Sequence, residues 1–313
     1  MVRKTKRLIV IGSGVLLIYL GYIGVSLMFL PSVEGLKNRR MSMQIQVRDW
    51  QGKYHPLLVG PKNPYWTPAG EIPAEMKWAV ILAEDSNFYR HEGIDVKAIK
   101  NAIKYDLEKK RFARGASTIT QQLARNLFLT REKTVTRKIK EMILAGRIEQ
   151  ELTKGRIIEL YLNVVELGPM VHGIGHGAQY YFGKPASALT PRECAFLAAM
   201  LPGPRLAYNP YKKIERVLRR SEMILGLMQN NGVLSADEYQ RAMAEVPNVL
   251  RLQSKVDESI RKEEAFVNLS GATVPATATE IGLPGEGGQP VAPPPATAEP
   301  GNEAAPAEGV GGK

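Results

Sequence analysis

The sequence has 313 residues, 44% of them hydrophobic and 7% aromatic, which leaves room for one large domain or two small ones around an ordinary core. Its 42 Lys and Arg against 31 Asp and Glu give a formal charge of +11, but an apolar segment near the N-terminus turns that charge toward anionic headgroups or a phosphorylated lipid, and no nucleic-acid partner is expected. A single cysteine excludes an intrachain disulfide and thiolate zinc sites; Cys194 lies in the apolar run 194–199, where a buried, inert thiol is expected.

In chain order, residues 1–7 form a basic N-terminus carrying Arg3, Lys4, Lys6 and Arg7. Residues 8–30 are uncharged and long enough to span a bilayer, longer than the apolar region of a cleaved signal. The positive flank predicts a single-pass protein with its N-terminus in the cytoplasm and the remainder outside the cytoplasmic membrane, in the periplasm where an outer membrane exists. Residues 31–69 are rich in Pro and Gly and read as a linker, with one alternating run, 41–47, that predicts a short strand. From 70 to 250 the period is helical, as in Ile139, Met142 and Ile143 or Ile157, Ile158, Leu160 and Tyr161, so the domain is expected to be mainly α. Residues 251–313 turn polar and then Pro-, Gly- and Ala-rich, a composition expected to stay disordered.

Three stretches carry chemistry. Glu84 and Asp85 end the apolar run 78–82; such a carboxylate suits a general base, but the local sequence alone favours helix-terminal acids paired with Arg90 or Lys97. In the second, Ser117 or Thr118 can cap a helix whose exposed face begins at Gln121 and Gln122, while neutral hydrogen-bonding groups beside Arg125 suit a sugar next to a phosphate. In the third, Lys133, Arg137 and Glu141 fall four apart on one stripe with Lys138 and Lys140 beside it, fitting a solvated face with an ion pair or a grip on a pyrophosphate. His172 and His176 are four apart, but Gly173 and Gly175 make poor helix, and no metal site is assigned.

In this order the stretches resemble glycosyltransferase family 51, the peptidoglycan glycosyltransferases, in its monofunctional form. Glu84, Asp85, Phe88, His91 and Gly93 match Glu-Asp-x-x-Phe-x-x-His-x-Gly. Gly115, Ser117, Thr118, Ile119, Thr120, Gln121, Gln122 and Asn126 match a second motif, with departures at Ala116 and at Arg125, where Lys is usual. Arg137, Lys138 and Glu141 match a third; Lys154, Glu159, Tyr161, Leu162 and Asn163 match a fourth; a fifth begins at Arg219 and Arg220 and reaches Met228. The segment around Gly175, His176 and Gly177 departs, since an acid and alanines are common there.

The resemblance implies a lysozyme-like, two-lobed, mainly α domain behind one transmembrane helix, with a region dipping into the bilayer, for which 94–112 is the candidate; a core helix fits its pattern equally. It implies polymerisation of glycan strands from lipid II and a lipid-linked growing strand, contact with membrane lipids, and association with other cell-wall synthesis or division proteins. Glu84 is the expected base and Glu141 an orienting carboxylate. Asp85, Ser117, Gln121, Gln122, Arg125, Lys133, Arg137 and Lys138 are the expected substrate-binding residues. No cofactor is required, though a Mg²⁺ at Asp85 or Glu141 fits the chemistry. The rivals are a lytic or hydrolytic enzyme on the same scaffold and an inactive membrane scaffold for cell-wall enzymes. Ser259 and Lys262 fit a transpeptidase Ser-x-x-Lys by spacing alone, without its other two motifs.

Overall fold

The computed structural model describes residues 2–109, 117–130 and 132–249. Gly115, Ala116 and the tail 251–313, with Ser259 and Lys262, lie outside them.

Helix α1 (Val2–Met28) contains a 19-residue stretch, Val10–Met28, of mean hydropathy 2.0 with none of it buried against the protein. At 1.5 Å per residue it is about as long as the roughly 30 Å hydrocarbon layer. A helix of this length and composition can cross a membrane.

The stretch expected as a linker is folded. Strands β1 (Met43–Arg48) and β2 (Tyr54–Val59) pair antiparallel, Met43 opposite Val59 and Arg48 opposite Tyr54. Alternation sends Ile45 and Val47 inward, and with Val33, Leu36 and Val59 they join the main core. Asn163 and Glu159, both in the fourth motif, hold the segment down. The Asn163 amide donates to Thr67 O and accepts from Thr67 N, both at 2.8 Å, and Glu159 takes Arg39 at 2.8 Å, Arg156 at 3.0 Å and the Ala69 N–H at 3.1 Å. The alternation at 41–47 had marked β1, but β2, interrupted by Pro56, gives too little periodicity to be seen in the sequence.

The domain is mainly α. Helices α2 (Ala74–Glu84), α3 (Val96–Lys109), α4 (Ile119–Phe128), α5 (Val135–Glu151) and α6 (Lys154–Val164) lead to a small hairpin, β3 (Glu166–Gly168) and β4 (Val171–His172). Then come α7 (Ile174–Phe182), α8 (Pro191–Met200), α9 (Pro210–Asn230) and α10 (Ala236–Ala244). Local chemistry sets the starts: Thr118, Thr190 and Ser235 form capping boxes with Gln121, Glu193 and Glu238, each cap contributing about 1 kcal/mol. Thr134 caps α5, so Lys133 lies just before that helix and not on its stripe.

The principal helix packings fall into two groups. One is α2, α8, α9 and α10; the other is α4, α5 and α6, with α7 against α6. Cys194 is fully buried in the first group, and burial pushes its thiol well above the usual range. Helix α3 is no core helix: Val96, Ile103 and Leu107 are exposed, and only Ala102 of its described residues is buried.

The departure at Gly175–Gly177 has a packing reason. A Cβ on Gly175 would lie 2.2 Å from Tyr65 O, and one on Gly177 2.6 Å from Leu167 Cδ1. The bare backbone lets the chain at Tyr65 close onto α7, where the Tyr65 ring stacks on His176 at 4.4 Å. His172 sits on β4 and His176 on α7, with Gly173 at φ +81° between them, so they are not the four-apart pair of one helix.

Candidate active site

Glu84 is the last residue of α2, where an apolar helix ends at the junction of the two helix groups. Its side chain is only 13% exposed. Gln122 of α4 donates to it from Nε2 at 3.0 Å, and Arg220 of α9 reaches it at 3.3 Å across 136 residues. These take the place of the expected Arg90 and Lys97. Burial raises the carboxyl above its ordinary range; the Gln122 hydrogen bond and the charges of Arg220 and Arg125 oppose that rise without cancelling it. A carboxylate so placed can take a proton nearer neutral pH than a solvated glutamate can.

Gln122 is fixed from its other end, since Tyr161 OH donates to its Oε1 at 3.0 Å. Tyr161 is fully buried, and burial pushes its hydroxyl well up, keeping it a donor. The Arg220 guanidinium lies 5.5 Å above the Tyr208 ring, which it shares with Arg216.

Asp85 is engaged differently. Gly93 N–H donates to His91 Nδ1 at 3.1 Å, which leaves the Nε2–H facing both Asp85 oxygens at 3.0 Å, and Asp85 also accepts from Ile119 N at 2.9 Å. Its carboxylate therefore locks the first motif to the start of α4. Gly93, at φ +86°, is where a Cβ would come within 3.0 Å of the Ala145 carbonyl, and its own carbonyl accepts from Thr118 Oγ1 at 2.6 Å. Gln121, expected on the exposed face, is buried instead, because its side chain closes the capping box on Thr118 N.

On α5, Glu141 is 1% exposed and pairs with both Arg137 and Lys138. Lys138 Nζ also reaches Ser117 Oγ at 3.0 Å and Gln121 Oε1 at 3.5 Å. One buried carboxylate thus orients two cations toward the second motif. Two cavities flank the Glu84–Gln122 contact. One, of about 270 Å³, is lined by Glu84, Asp85, Lys97, Asn101, Ser117 and Thr118 among others. The other, of about 440 Å³, is lined by Gln122, Arg125, Asn126, Lys133 and Arg137 and closed by the loop 201–206. Arg205 ties that loop to Glu166 and to the Arg48 carbonyl.

The expected site residues therefore converge: Glu84, Asp85, Ser117, Gln121, Gln122, Arg125, Lys133, Arg137, Lys138 and Glu141 all line these cavities or bond to residues that do. Among the described residues, five contributors were given no role from sequence: Arg220, Tyr161, Arg205, Glu149 and Lys154. Glu149 accepts from Thr120 at 2.6 Å and from Lys154 at 2.7 Å, and Lys154 donates to His91 O at 2.6 Å. Tyr161, Lys154 and Arg220 stand within the fourth and fifth motifs, but spacing does not say which residue reaches Glu84.

Residues 54–229 match the transglycosylase family. The chain belongs to that family. The match begins at the first residue of β2 and runs almost to the end of α9, so the transglycosylase region takes in one strand of the hairpin as well as helices α2 to α9. Penicillin-binding protein 1A of Escherichia coli (strain K12) is 40% identical over 219 residues, covering 70% of this chain and 26% of that protein. The Neisseria lactamica protein of the same name is 37% identical over 230 residues, covering 74% of this chain and 29% of that one. A biosynthetic peptidoglycan transglycosylase of Nitrosomonas eutropha is 45% identical over 160 residues, covering 51% of this chain and 65% of its own length. This transglycosylase chain matches only about a quarter of the length of the Escherichia coli protein.

Proposed function

We propose that this chain is a peptidoglycan glycosyltransferase that transfers a lipid-linked growing glycan strand onto the 4-hydroxyl of lipid II. The observation that carries the reading is a desolvated Glu84 set across Gln122 from a cavity walled by Arg125, Lys133 and Arg137. Glu84 takes the proton from the acceptor hydroxyl as its oxygen attacks the donor anomeric carbon. The new C–O bond forms on the face opposite the leaving group, with inversion, and the electron pair of the broken bond departs on undecaprenyl pyrophosphate. A pyrophosphate needs charge neutralisation more than protonation, which assigns Arg125, Lys133, Arg137 and Lys138 to the leaving group and Ser117 and Gln121 to its sugar or phosphate. Glu141 positions Arg137 and Lys138 and is no second acid. A lytic enzyme has no use for such a cation cluster.

The reading needs no cofactor. The Asp85 oxygens face His91 and Ile119 N–H, and those of Glu141 face Arg137 and Lys138, so neither carboxylate presents the free oxygens a Mg²⁺ would take. The basic N-terminus supports a cytoplasmic start, with the domain on the outer face of the cytoplasmic membrane. Purified protein incubated with lipid II should yield glycan polymer and undecaprenyl pyrophosphate, with no loss on adding a chelator. Absence of polymer, or short soluble fragments from preformed glycan, would reject the reading.

A further inference from the structure

A second cationic feature lies outside the leaving-group cavity. The first turns of α9 carry Lys212, Lys213, Arg216 and Arg219 around a groove of about 560 Å³, with Ile214 and Glu215 completing its lining. All four cations are exposed. Among the described residues none has an ion pair or a side-chain hydrogen bond; Arg216 alone has a partner, the Tyr208 ring at 5.2 Å. A kink at Lys213 (φ −142°, ψ 44°) breaks the helix within the cluster. The groove connects to the candidate base through named contacts: Arg216 shares the Tyr208 ring with Arg220, and Arg220 touches Glu84.

Its chemistry differs from that of the leaving-group cavity. There a buried carboxylate holds the cations in fixed positions, as a compact diphosphate requires. In the α9 groove the single acid, Glu215, is exposed and pairs with none of the four. Exposed, solvated cations suit a weakly held, extended anion that must move along. A lipid surface is the poorer match, because the groove has one aliphatic lining residue, whereas α3 presents Val96, Ile103 and Leu107.

We propose that the α9 groove binds the carboxylates on the peptide arms of the glycan strand as it passes Glu84. This rests on the glycosyltransferase reading, and its test separates the two. The chain carrying Glu84→Gln is mixed, in the absence of lipid II, with soluble peptide-bearing glycan strands, and binding is compared with that of the same protein carrying Lys212→Glu and Lys213→Glu. Reversing two exposed charges should weaken binding about three- to thirtyfold at low salt. The difference should vanish near 1 M salt, where the screening length is about 3 Å. Strands with amidated carboxylates should bind both proteins equally and weakly. Unchanged binding in the double variant overturns the proposal, as does a loss that persists with amidated strands. Loss of binding only to vesicles of anionic lipid would reassign the groove to the membrane and overturn it too. Failure of the chain with Glu84 intact to polymerise lipid II would strike the glycosyltransferase reading alone, since strand binding is read without turnover.

Discussion

Arg220→Gln is the sharpest probe of how the fold tunes its base. The substitution keeps a polar side chain on α9 but removes the charge 3.3 Å from Glu84 Oε1. Burial of Glu84 is untouched, so of the influences on the carboxyl, one that favours ionisation is lost and the one that opposes it remains. The carboxyl must therefore move further up, and the acid limb of the rate profile moves to higher pH. A hydrogen bond to a charged group contributes about 1.5–3 kcal/mol. This contact is long, so the lower end applies, and 1.4 kcal/mol corresponds to about tenfold. On the acid side of the profile the rate should fall about tenfold, and the loss should shrink toward alkaline pH, where Glu84 is ionised in both proteins. Initial rates of lipid II polymerisation from pH 5.5 to 9, beside thermal melts of the same preparations, measure this. A profile superimposable on that of the unmodified protein, or a uniform loss at every pH, would refute the coupling.

Glu84→Gln should lower the polymerisation rate about 10²- to 10⁴-fold, as loss of a general base does. Its stability should change with the opposite sign. Below the ordinary carboxyl value of 4.5 the group is protonated folded and unfolded alike, while above it ionisation penalises the folded state, so the amide should raise the melting temperature at pH 8 and leave it unchanged at pH 4. A lower melting temperature at pH 8 would contradict the desolvated state of Glu84. Arg137→Gln should lower turnover far more than substrate affinity if Arg137 neutralises the leaving group, because that charge develops in the transition state; an unchanged turnover number would defeat the assignment. It should also cost some stability, since Glu141 keeps only Lys138, which melts of the same protein will show. Gly175→Val forces a Cβ to within 2.2 Å of Tyr65 O, so it should destabilise by about 1–3 kcal/mol and loosen the 54–67 segment to proteolysis. An unaltered melting temperature would show that the segment yields freely.

What the sequence alone determined rests on short-range physics. The uncharged run of α1, the cap at Thr118, the helical period of the domain and the burial of Cys194 each depend on residues within a few positions of one another, so they are legible in one dimension. The ordered motifs placed Glu84, Glu141 and the cations on the same site for the same reason that they matched a family. Only the tertiary structure decided which partner each charge meets. Arg220 reaches Glu84 over 136 residues, in place of the nearby Arg90 or Lys97, because α9 packs on α2. Gln121 points inward because its side chain caps the Thr118 N–H at the start of α4, and Gln122 turns to Glu84 because Tyr161 holds its other end. The 31–69 segment became part of the domain only once Asn163, Glu159 and the bare backbone at Gly175 gave it a surface to close upon. Hydrogen bonds and ion pairs of a buried site are satisfied by whatever packing brings near, and that proximity is a property of the folded chain, not of its spacing.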